Sequence, residues 1–266
     1  MAQPVKRGVV HLIGAGPGDP ELITVRGWNI LKEADVVLYA GSLVSKELVE
    51  AARPGAEKIS SADLHLDEMV EIMVEAARKN QVVARVHSGD PTVYGAILEQ
   101  VARLRKHGIP FEIVPGVCSA FAAAARVGAE LTVPEVSQTV ILTRTGGRAS
   151  PVPEGAELRE LARHPATLAI FLSAARIHKV AGELREAGLP EETPVVVAEK
   201  VTWPGERVIR TTLARLESRI REAGITRHAM ILVGKALDPG EAGESHRSRL
   251  YDPEYAHLFR PTVKEG

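Results

Sequence analysis

The stretch Val9–Gly27, VVHLIGAGPGDPELITVRG, decides how the first half of the chain is read. An apolar, β-branched run ends in a glycine-rich turn and a helix-compatible segment follows. The phosphate cradle of a dinucleotide fold reads G-x-G-x-x-G: its third glycine lets the helix pack close to the strand, and the pyrophosphate rests on the helix N-terminus. Here Gly14, Gly16 and Gly18 fall at every second position. Pro17 removes a backbone N–H that the cradle would use, and Asp19 puts a negative charge where the phosphates would lie. The loop is then either a strand-to-helix turn without a ligand or the wall of a different site, and the rest of the chain has to decide.

Working outward, "GVVHLI", "DVVLY", "QVVARV" and "FEIV" read as buried strands with helices between them. The clearest helix carries Leu66, Met69, Val70, Met73, Val74 and Ala77, an i, i+3, i+4, i+7 series that lays one apolar stripe against a sheet. Strands and helices alternating in this way predict a mostly parallel sheet covered on both faces. The pattern restarts near "VGAELTVPEVSQTVIL", where Pro134 separates two apolar runs, and the domain linker belongs before or within it. Further strands are expected at "TVILT", "TLAIFL", "PVVVAE", "RVIRT" and "AMILVG", and helices around "HKVAGELREAG" and "LARLESRIREAG". Short connections between adjacent strands point to a mixed sheet there. The expected organisation is α/β with two domains, residues 1–117 and 118–237, and a C-terminal arm over 238–266. In that arm "RSRLYDPEYAHLFR" interleaves aromatic and basic residues and reads as a packed arm or frayed terminus rather than a catalytic element.

The chain has 266 residues, a length that suits about two domains, and its 45% hydrophobic content is ample for buried cores. Lys plus Arg (33) nearly balances Asp plus Glu (34), so the basic excess expected of a nucleic-acid binder is missing, and any acidic ligand must be held by local cations. The single cysteine, Cys118, excludes an internal disulfide and a cysteine-rich metal site and fits a reducing cytoplasm. The nine histidines are scattered, and no metal site is expected. No signal-peptide pattern and no apolar run of bilayer length is seen; even "AFAAAARVGA" is cut by Arg126. The expectation is a cytoplasmic protein without a membrane partner.

Three stretches carry chemistry. "VHSGDPTVYG", Val86–Gly95, ends a buried strand where an open α/β sheet places its ligands. Ser88 and Gly89 let a ligand approach the main chain, and Asp90 offers an acceptor for an ammonium or ribose hydroxyl; the same residues also make an ordinary turn. "VPGVCSAFAAAA", Val114–Ala125, repeats the design, and Cys118 and Ser119 open a helix whose free N–H groups suit a carboxylate or an adenine edge. Cys118 reads as a small packing residue rather than a nucleophile. "ILTRTGGR", Ile141–Arg148, sets Arg144 and Arg148 around a Gly-Gly turn, either as forks for an acidic substrate or as a solvated basic loop.

Taken together, "GAGPGDPELITVRG", "ADVVLYAGSLVS", "SGDPTVYG", "VPGVCSA" and "AMILVG" resemble, in order and over nearly the whole chain, the class III S-adenosylmethionine-dependent methyltransferases of tetrapyrrole biosynthesis. "YAGSLV", "SQTVILTR" and "LYDPEYAHLFR" are most similar to the precorrin-4 and cobalt-precorrin-4 C11-methyltransferase branch of cobalamin biosynthesis. Related uroporphyrinogen-III methyltransferases usually carry an aspartate after the tyrosine that ends the second strand; here Ala40-Gly41-Ser42 follows Tyr39, so a base role for that carboxylate does not carry over. The resemblance implies the tetrapyrrole methylase fold, two α/β domains with the active-site cleft between them, and a first glycine loop that lines that cleft rather than a dinucleotide cradle. It implies S-adenosylmethionine as methyl donor, with S-adenosylhomocysteine as product, held by Pro17, Ser88, Gly89, Asp90, Val93, Cys118, Ser119, Leu172, Val201 and Ala229. The substrate would be an acidic tetrapyrrole held by Arg26, Arg144 and Arg148, and family members are commonly homodimers.

The implied reaction is attack of a ring carbon on an activated sulfonium, which asks the protein for alignment and a dry cleft rather than a nucleophile. If a proton must leave the macrocycle, Glu99 and His87 are the candidates by position near "SGDP". The rivals are a nicotinamide-dependent reductase, which would need an acidic ribose-binding residue where "LYAGS" has none, a non-catalytic binder of cofactor or tetrapyrrole, and another methyltransferase of the same family, more remotely diphthine synthase.

Overall fold

The computed structural model describes residues 4–147 and 151–238. Its contacts divide the chain into two units: one runs to Ala122 and takes in Val201–Gly205, and the other holds Ala123–Lys200 and the chain from Glu206 onward.

The first unit contains β1 (Val9–Gly14), α1 (Val25–Glu33), β2 (Val36–Tyr39), α2 (Lys46–Glu50), β3 (Glu57–Ser60), α3 (Leu66–Arg78), β4 (Val82–His87), α4 (Ile97–Lys106), β5 (Phe111–Val114) and the start of α5 (Ser119–Arg126). The strands lie in the order β3-β2-β4-β1-β5, every pair parallel. All residues of β1 and β4 are buried, as central strands covered by helices on both faces must be. Alternation along β4 sends Val82, Ala84 and Val86 into a cluster with Ile30 and Leu31 of α1 and Leu48 and Val49 of α2, while Val83 joins α3 and α4 on the other face. The α3 stripe packs as its spacing predicts, through Val70, Met73, Val74 and Ala77. The edge strand β3, EKIS, had no sequence signal: its outer residues are exposed and it pairs only with β2.

Local sequence sets where these helices start. Thr24 caps α1 by accepting from the Gly27 N–H at 3.2 Å, and Ser45 caps α2 through the Leu48 N–H at 3.1 Å. Gly27 itself lets α1 lie on β1, since a Cβ there would stand 2.8 Å from Cγ2 of Ile13.

The second unit contains β6 (Val140–Arg144), α6 (Leu158–Leu161), β7 (Thr167–Phe171), α7 (Ile177–Glu186), β8 (Pro194–Glu199), β9 (Arg207–Thr212), α8 (Leu216–Glu222) and β10 (Ala229–Val233). Its sheet runs β6-β7-β10-β8-β9; β6 and β7 are parallel and the other pairs antiparallel, the mixed sheet expected. Leu168, Ile170, Val195, Val197, Ile231 and Val233 bury one face of it against Leu158, Val180, Leu184, Leu216 and Ile220 of the three helices. No helix among the described residues is long and apolar enough to cross a membrane.

Candidate active site

The glycines of the opening stretch have separate structural reasons. Gly14 ends β1 where three backbones crowd: a Cβ on it would lie 2.6 Å from Gly116 and from the Gly89 carbonyl, and one on Gly116 would lie 2.1 Å from that carbonyl. Gly16 takes φ +79°, a left-handed conformation that suits glycine. It exchanges hydrogen bonds with Gly89, whose N–H donates to the Gly16 carbonyl at 2.7 Å while the Gly16 N–H donates back at 3.2 Å. Gly18 faces an indole, with Cδ1 of Trp203 only 2.2 Å from where its Cβ would be. The carboxyl ends of β4, β1 and β5 are thereby drawn together without side chains between them, and Pro17, Ser88, Gly89, Asp90, Cys118 and Ser119 gather at those ends. Gly89, at φ +63°, has only one atom within reach of an added Cβ, the Val117 carbonyl at 4.0 Å, so its outer face is open to a ligand.

Asp90 ties two of the turns together. Its Oδ2 accepts from the Gly116 N–H at 2.9 Å, and its Oδ1 accepts from the N–H and the hydroxyl of Thr92 at 2.8 and 2.5 Å. Burial pushes this carboxyl up, but the Thr92 hydroxyl and the two N–H donors outweigh it and hold Asp90 below the usual carboxylate value. The Val93 N–H donates to the Asp90 carbonyl at 3.3 Å, which brings Val93 into the same turn. Beyond it the chain passes through Tyr94 and Ala96, both left-handed at φ 55° and 49°, before α4 begins.

Cys118 is buried, and its carbonyl accepts from the Phe121 and Ala122 N–H groups at 3.1 Å as α5 starts. Burial raises its thiol pKa, the nearby Asp90 charge adds to the rise, and the Ala120 and Phe121 N–H groups offset only part of it. The thiol therefore stays protonated at neutral pH. Cys118→Ala should leave turnover within about threefold of wild type, since small buried thiols act through packing; a loss above about a hundredfold at an unchanged melting point would contradict this.

The segment holding Val201 also reaches the glycine loop. Val201 is 5% exposed and sits between Lys200 and Thr202, left-handed at φ 49° and 68°. The Asp19 N–H donates to Thr202 Oγ1 at 3.0 Å, and Nε1 of Trp203 donates to the Pro17 carbonyl at 2.7 Å. Asp19 is itself occupied in starting the next turn, accepting from the Glu21 N–H at 2.9 Å. It caps protein backbone where a phosphate cradle would hold an anion.

In the second unit Leu172 follows the end of β7 at φ 53° with 74% of its surface exposed. An apolar, non-glycine residue held left-handed and presented to solvent is the kind of strain that marks ligand contacts. The backbone around it is fixed by Ser173, fully buried, whose hydroxyl donates to the Phe171 carbonyl at 2.7 Å and accepts from the Thr145 N–H at 3.0 Å. Ala229 opens β10 opposite Glu199. Arg144 ends β6 with its guanidinium donating to the Thr145 and Pro151 carbonyls at 3.5 and 3.3 Å. Arg148 and the segment 239–266, with "LYDPEYAHLFR", lie outside the described residues. Sequence reasoning missed Arg176 and Lys179, which both donate to the Gly146 carbonyl at 3.1 Å and make this turn a cluster of cations. The local hint is Gly147, where a Cβ would collide with the Arg176 guanidinium at 2.3 Å.

The remaining candidates separate. Arg26 pairs with Glu112 at 2.5 Å beside α1, where His11 stands 3.3 Å from the other Glu112 oxygen. Glu99 is exposed in the first turn of α4. His87 is 4% exposed, and its Nε2 has no hydrogen-bond partner. Burial, then the neighbouring Arg85 charge, pulls His87 down to about 3, so it is neutral across the physiological range. Arg85 sits on the same face of β4, also buried, and donates to Gln100, the Leu38 carbonyl and Ser61 at 3.1, 3.3 and 3.1 Å. Among the described residues no group of His, Cys, Asp and Glu is placed to hold a metal ion.

The sequence profile of the tetrapyrrole (corrin/porphyrin) methylases matches residues 9–217. The chain belongs to this family. Among curated tetrapyrrole methylases, the cobalt-precorrin-4 C(11)-methyltransferase of Priestia megaterium is 53% identical over 96% of this chain and 98% of that one. A solved X-ray structure of a cobalt precorrin-4 methyltransferase, also 53% identical, superposes with a TM-score of 0.85, covering 89% of this chain and 100% of the other. The uroporphyrin-III C-methyltransferase of Thermus thermophilus, crystallised with S-adenosylhomocysteine, is 32% identical with a TM-score of 0.72 over 87% of this chain and 94% of that one. The two-sheet α/β architecture is thus the tetrapyrrole methylase fold.

Proposed function

We propose that this tetrapyrrole methylase transfers the methyl group of S-adenosylmethionine to C11 of precorrin-4 or cobalt-precorrin-4. The observation that carries the reading is the 53% identity to a curated cobalt-precorrin-4 C(11)-methyltransferase along 96% of the chain. The cofactor fits the residues present in the first unit: the open face of Gly89 and the immobilised Pro17 carbonyl suit a ligand that approaches the main chain with polar groups. The reading assigns cofactor contacts to Pro17, Ser88, Gly89, Asp90, Val93, Cys118, Ser119 and Val201 in the first unit and to Leu172 and Ala229 in the second. When bound, S-adenosylmethionine supplies an activated methyl group, so the carbon–carbon bond forms as the sulfur–carbon bond breaks.

The chain's own task is placement. Asp90 fixes the turn whose backbone faces the ligand, and the crowded Gly14, Gly89 and Gly116 hold that turn against the sheet. Rigid placement of two reactants supplies much of the acceleration in such a transfer. With its pKa at about 3, His87 accepts a proton poorly, which leaves Glu99 as the remaining candidate for a proton acceptor. Arg144, Arg148 and Arg26 are assigned to substrate carboxylates, and Arg26 must exchange Glu112 for one. The reading includes a cytoplasmic homodimer; a monomeric mass in light scattering would remove the dimer from it.

Incubation of the pure protein with S-adenosylmethionine and each substrate, followed by mass spectrometry, tests the reading. Gain of one methyl group on either macrocycle supports it, and the faster substrate settles the cobalt question. Tight S-adenosylhomocysteine binding without transfer to either would retain the cofactor and reject the substrate.

A further inference from the structure

Trp203 lies in a segment whose neighbours on both sides, β8 and β9, belong to the second unit, while Val201–Gly205 itself belongs to the first. The chain bends sharply to deliver it, with Lys200 and Thr202 both left-handed. Non-glycine residues held there cost free energy and persist where surrounding contacts over-determine them. Those contacts are specific. The Trp203 indole N–H donates to the Pro17 carbonyl at 2.7 Å, Thr202 Oγ1 accepts from the Asp19 N–H at 3.0 Å, and the indole edge occupies the space a side chain on Gly18 would need. Three consecutive loop residues, Pro17, Gly18 and Asp19, are each held by this one segment.

A glycine-rich loop is conformationally permissive, and its ordering has to be supplied from outside. The far end of the loop is fixed by Asp19, whose side chain accepts from the Glu21 N–H and whose carbonyl accepts from the Leu22 N–H at 3.0 Å. The part next to Ala15 and Gly16 is fixed by the Gly89 exchange. Between these anchors, Pro17 and Gly18 depend on Trp203.

We propose that Trp203 is a positioning residue for the methyl donor: its indole pre-orders the Pro17–Asp19 loop, so that ordering is not charged against cofactor binding. This rests on the reading above, in which Pro17 contacts the cofactor. The consequence is selective. Loss of the latch lowers affinity for the cofactor because the free loop must be ordered on binding, while affinity for the macrocycle and turnover at saturating cofactor stay near wild type. Gly18→Ala, which drives a methyl group into the indole, produces the same signature from the other side of the contact.

The test is isothermal titration of the full-length protein with S-adenosylhomocysteine, together with steady-state kinetics, for Trp203→Phe, Trp203→Leu and Gly18→Ala. Trp203→Phe keeps the ring and loses only the N–H, and is expected to weaken S-adenosylhomocysteine about fivefold to tenfold, the worth of one hydrogen bond. Trp203→Leu and Gly18→Ala are expected to weaken it about a hundredfold. In all three the KM for S-adenosylmethionine rises while kcat falls less than about threefold. Unchanged affinity in Trp203→Leu would overturn the proposal, as would a loss of kcat matching the rise in KM, because the residue would then be a general support of the fold. A second readout does not depend on turnover: in a Trp28→Phe background, Trp203 is the remaining tryptophan, and its acrylamide quenching is expected to be as low in the free protein as with S-adenosylhomocysteine bound. Strong quenching in the free protein that falls sharply on calorimetrically observed binding contradicts the latch alone. Wild type that does not bind S-adenosylhomocysteine overturns the cofactor reading itself, and the proposal with it.

Discussion

Gly116→Ala is expected to cost about 3 kcal/mol or more, lowering the melting temperature by roughly 6–12 °C and leaving much of the protein insoluble. The added carbon would lie 2.1 Å from the Gly89 carbonyl and 2.7 Å from Cα of Gly14. Both are backbone atoms at the ends of buried central strands, so neither can swing aside as a flexible side chain would. Relief requires β4 or β5 to shift against β1, breaking register that runs from Val9–Val82 to Gly14–His87 and from Val10–Phe111 to Ile13–Val114. The Asp90 to Gly116 hydrogen bond would go with it. Gly108→Ala is the control: unlike Gly116, that residue has positive φ, +68°, but an added Cβ meets nothing within 4 Å, so only the backbone penalty of about 1 kcal/mol applies. Equal effects from the two substitutions in thermal melts would refute the crowding argument.

Asp90→Asn is expected to cost about 2 kcal/mol at neutral pH, because three hydrogen bonds lose the charge that strengthens them and the amide can no longer accept at both ends. Its pH dependence identifies the mechanism. The folded-state pKa of Asp90 lies below the ordinary 3.8. A depressed carboxylate contributes stability that is fully present above its unfolded pKa and is lost as pH falls through the folded pKa. The difference in urea midpoint between wild type and Asp90→Asn should therefore be constant from about pH 7 to 5 and shrink below about pH 4. A difference that persists undiminished at pH 3 would mean that the carboxylate's charge is not what holds the turn.

Most of the fold was legible because its strands are buried runs. β1, β2 and β4 show as buried apolar stretches with helical periods between them, and β7, β8 and β10 are apolar and buried in the same way, whereas β5, β6 and β9 are only partly buried and were read from their β-branched and apolar residues. β3 was not, because an edge strand with one neighbour and half its residues in water needs no apolar pattern. The glycine loop was legible in part: Pro17 and Asp19 excluded a phosphate cradle from spacing alone. What requires Gly18 to be glycine was not, since its partner Trp203 is far away in the chain and announces nothing locally. Nor could a reading in contiguous domains anticipate that Val201–Gly205 joins the first unit.

The chemistry divides in the same way. Asp90 was read as an acceptor for a ligand, and its carboxylate is engaged with the Gly116 and Thr92 donors. Arg26 was assigned to the carboxylates of the substrate, yet which carboxylate of the protein it meets is decided by the β1–β5 pairing that sets Glu112 beside His11. Arg176 and Lys179 escaped notice because each is unremarked in its own helical context, and only the return of β6 and β7 in parallel brings them to Gly146.

The most direct test of the central claim supplies methyl-labelled S-adenosylmethionine with precorrin-4 and, separately, with cobalt-precorrin-4, and locates the label in the product by NMR. The account predicts a single new methyl group, bonded to C11 of the macrocycle. Label at any other ring carbon, or none on either substrate from protein that binds S-adenosylhomocysteine, would contradict it.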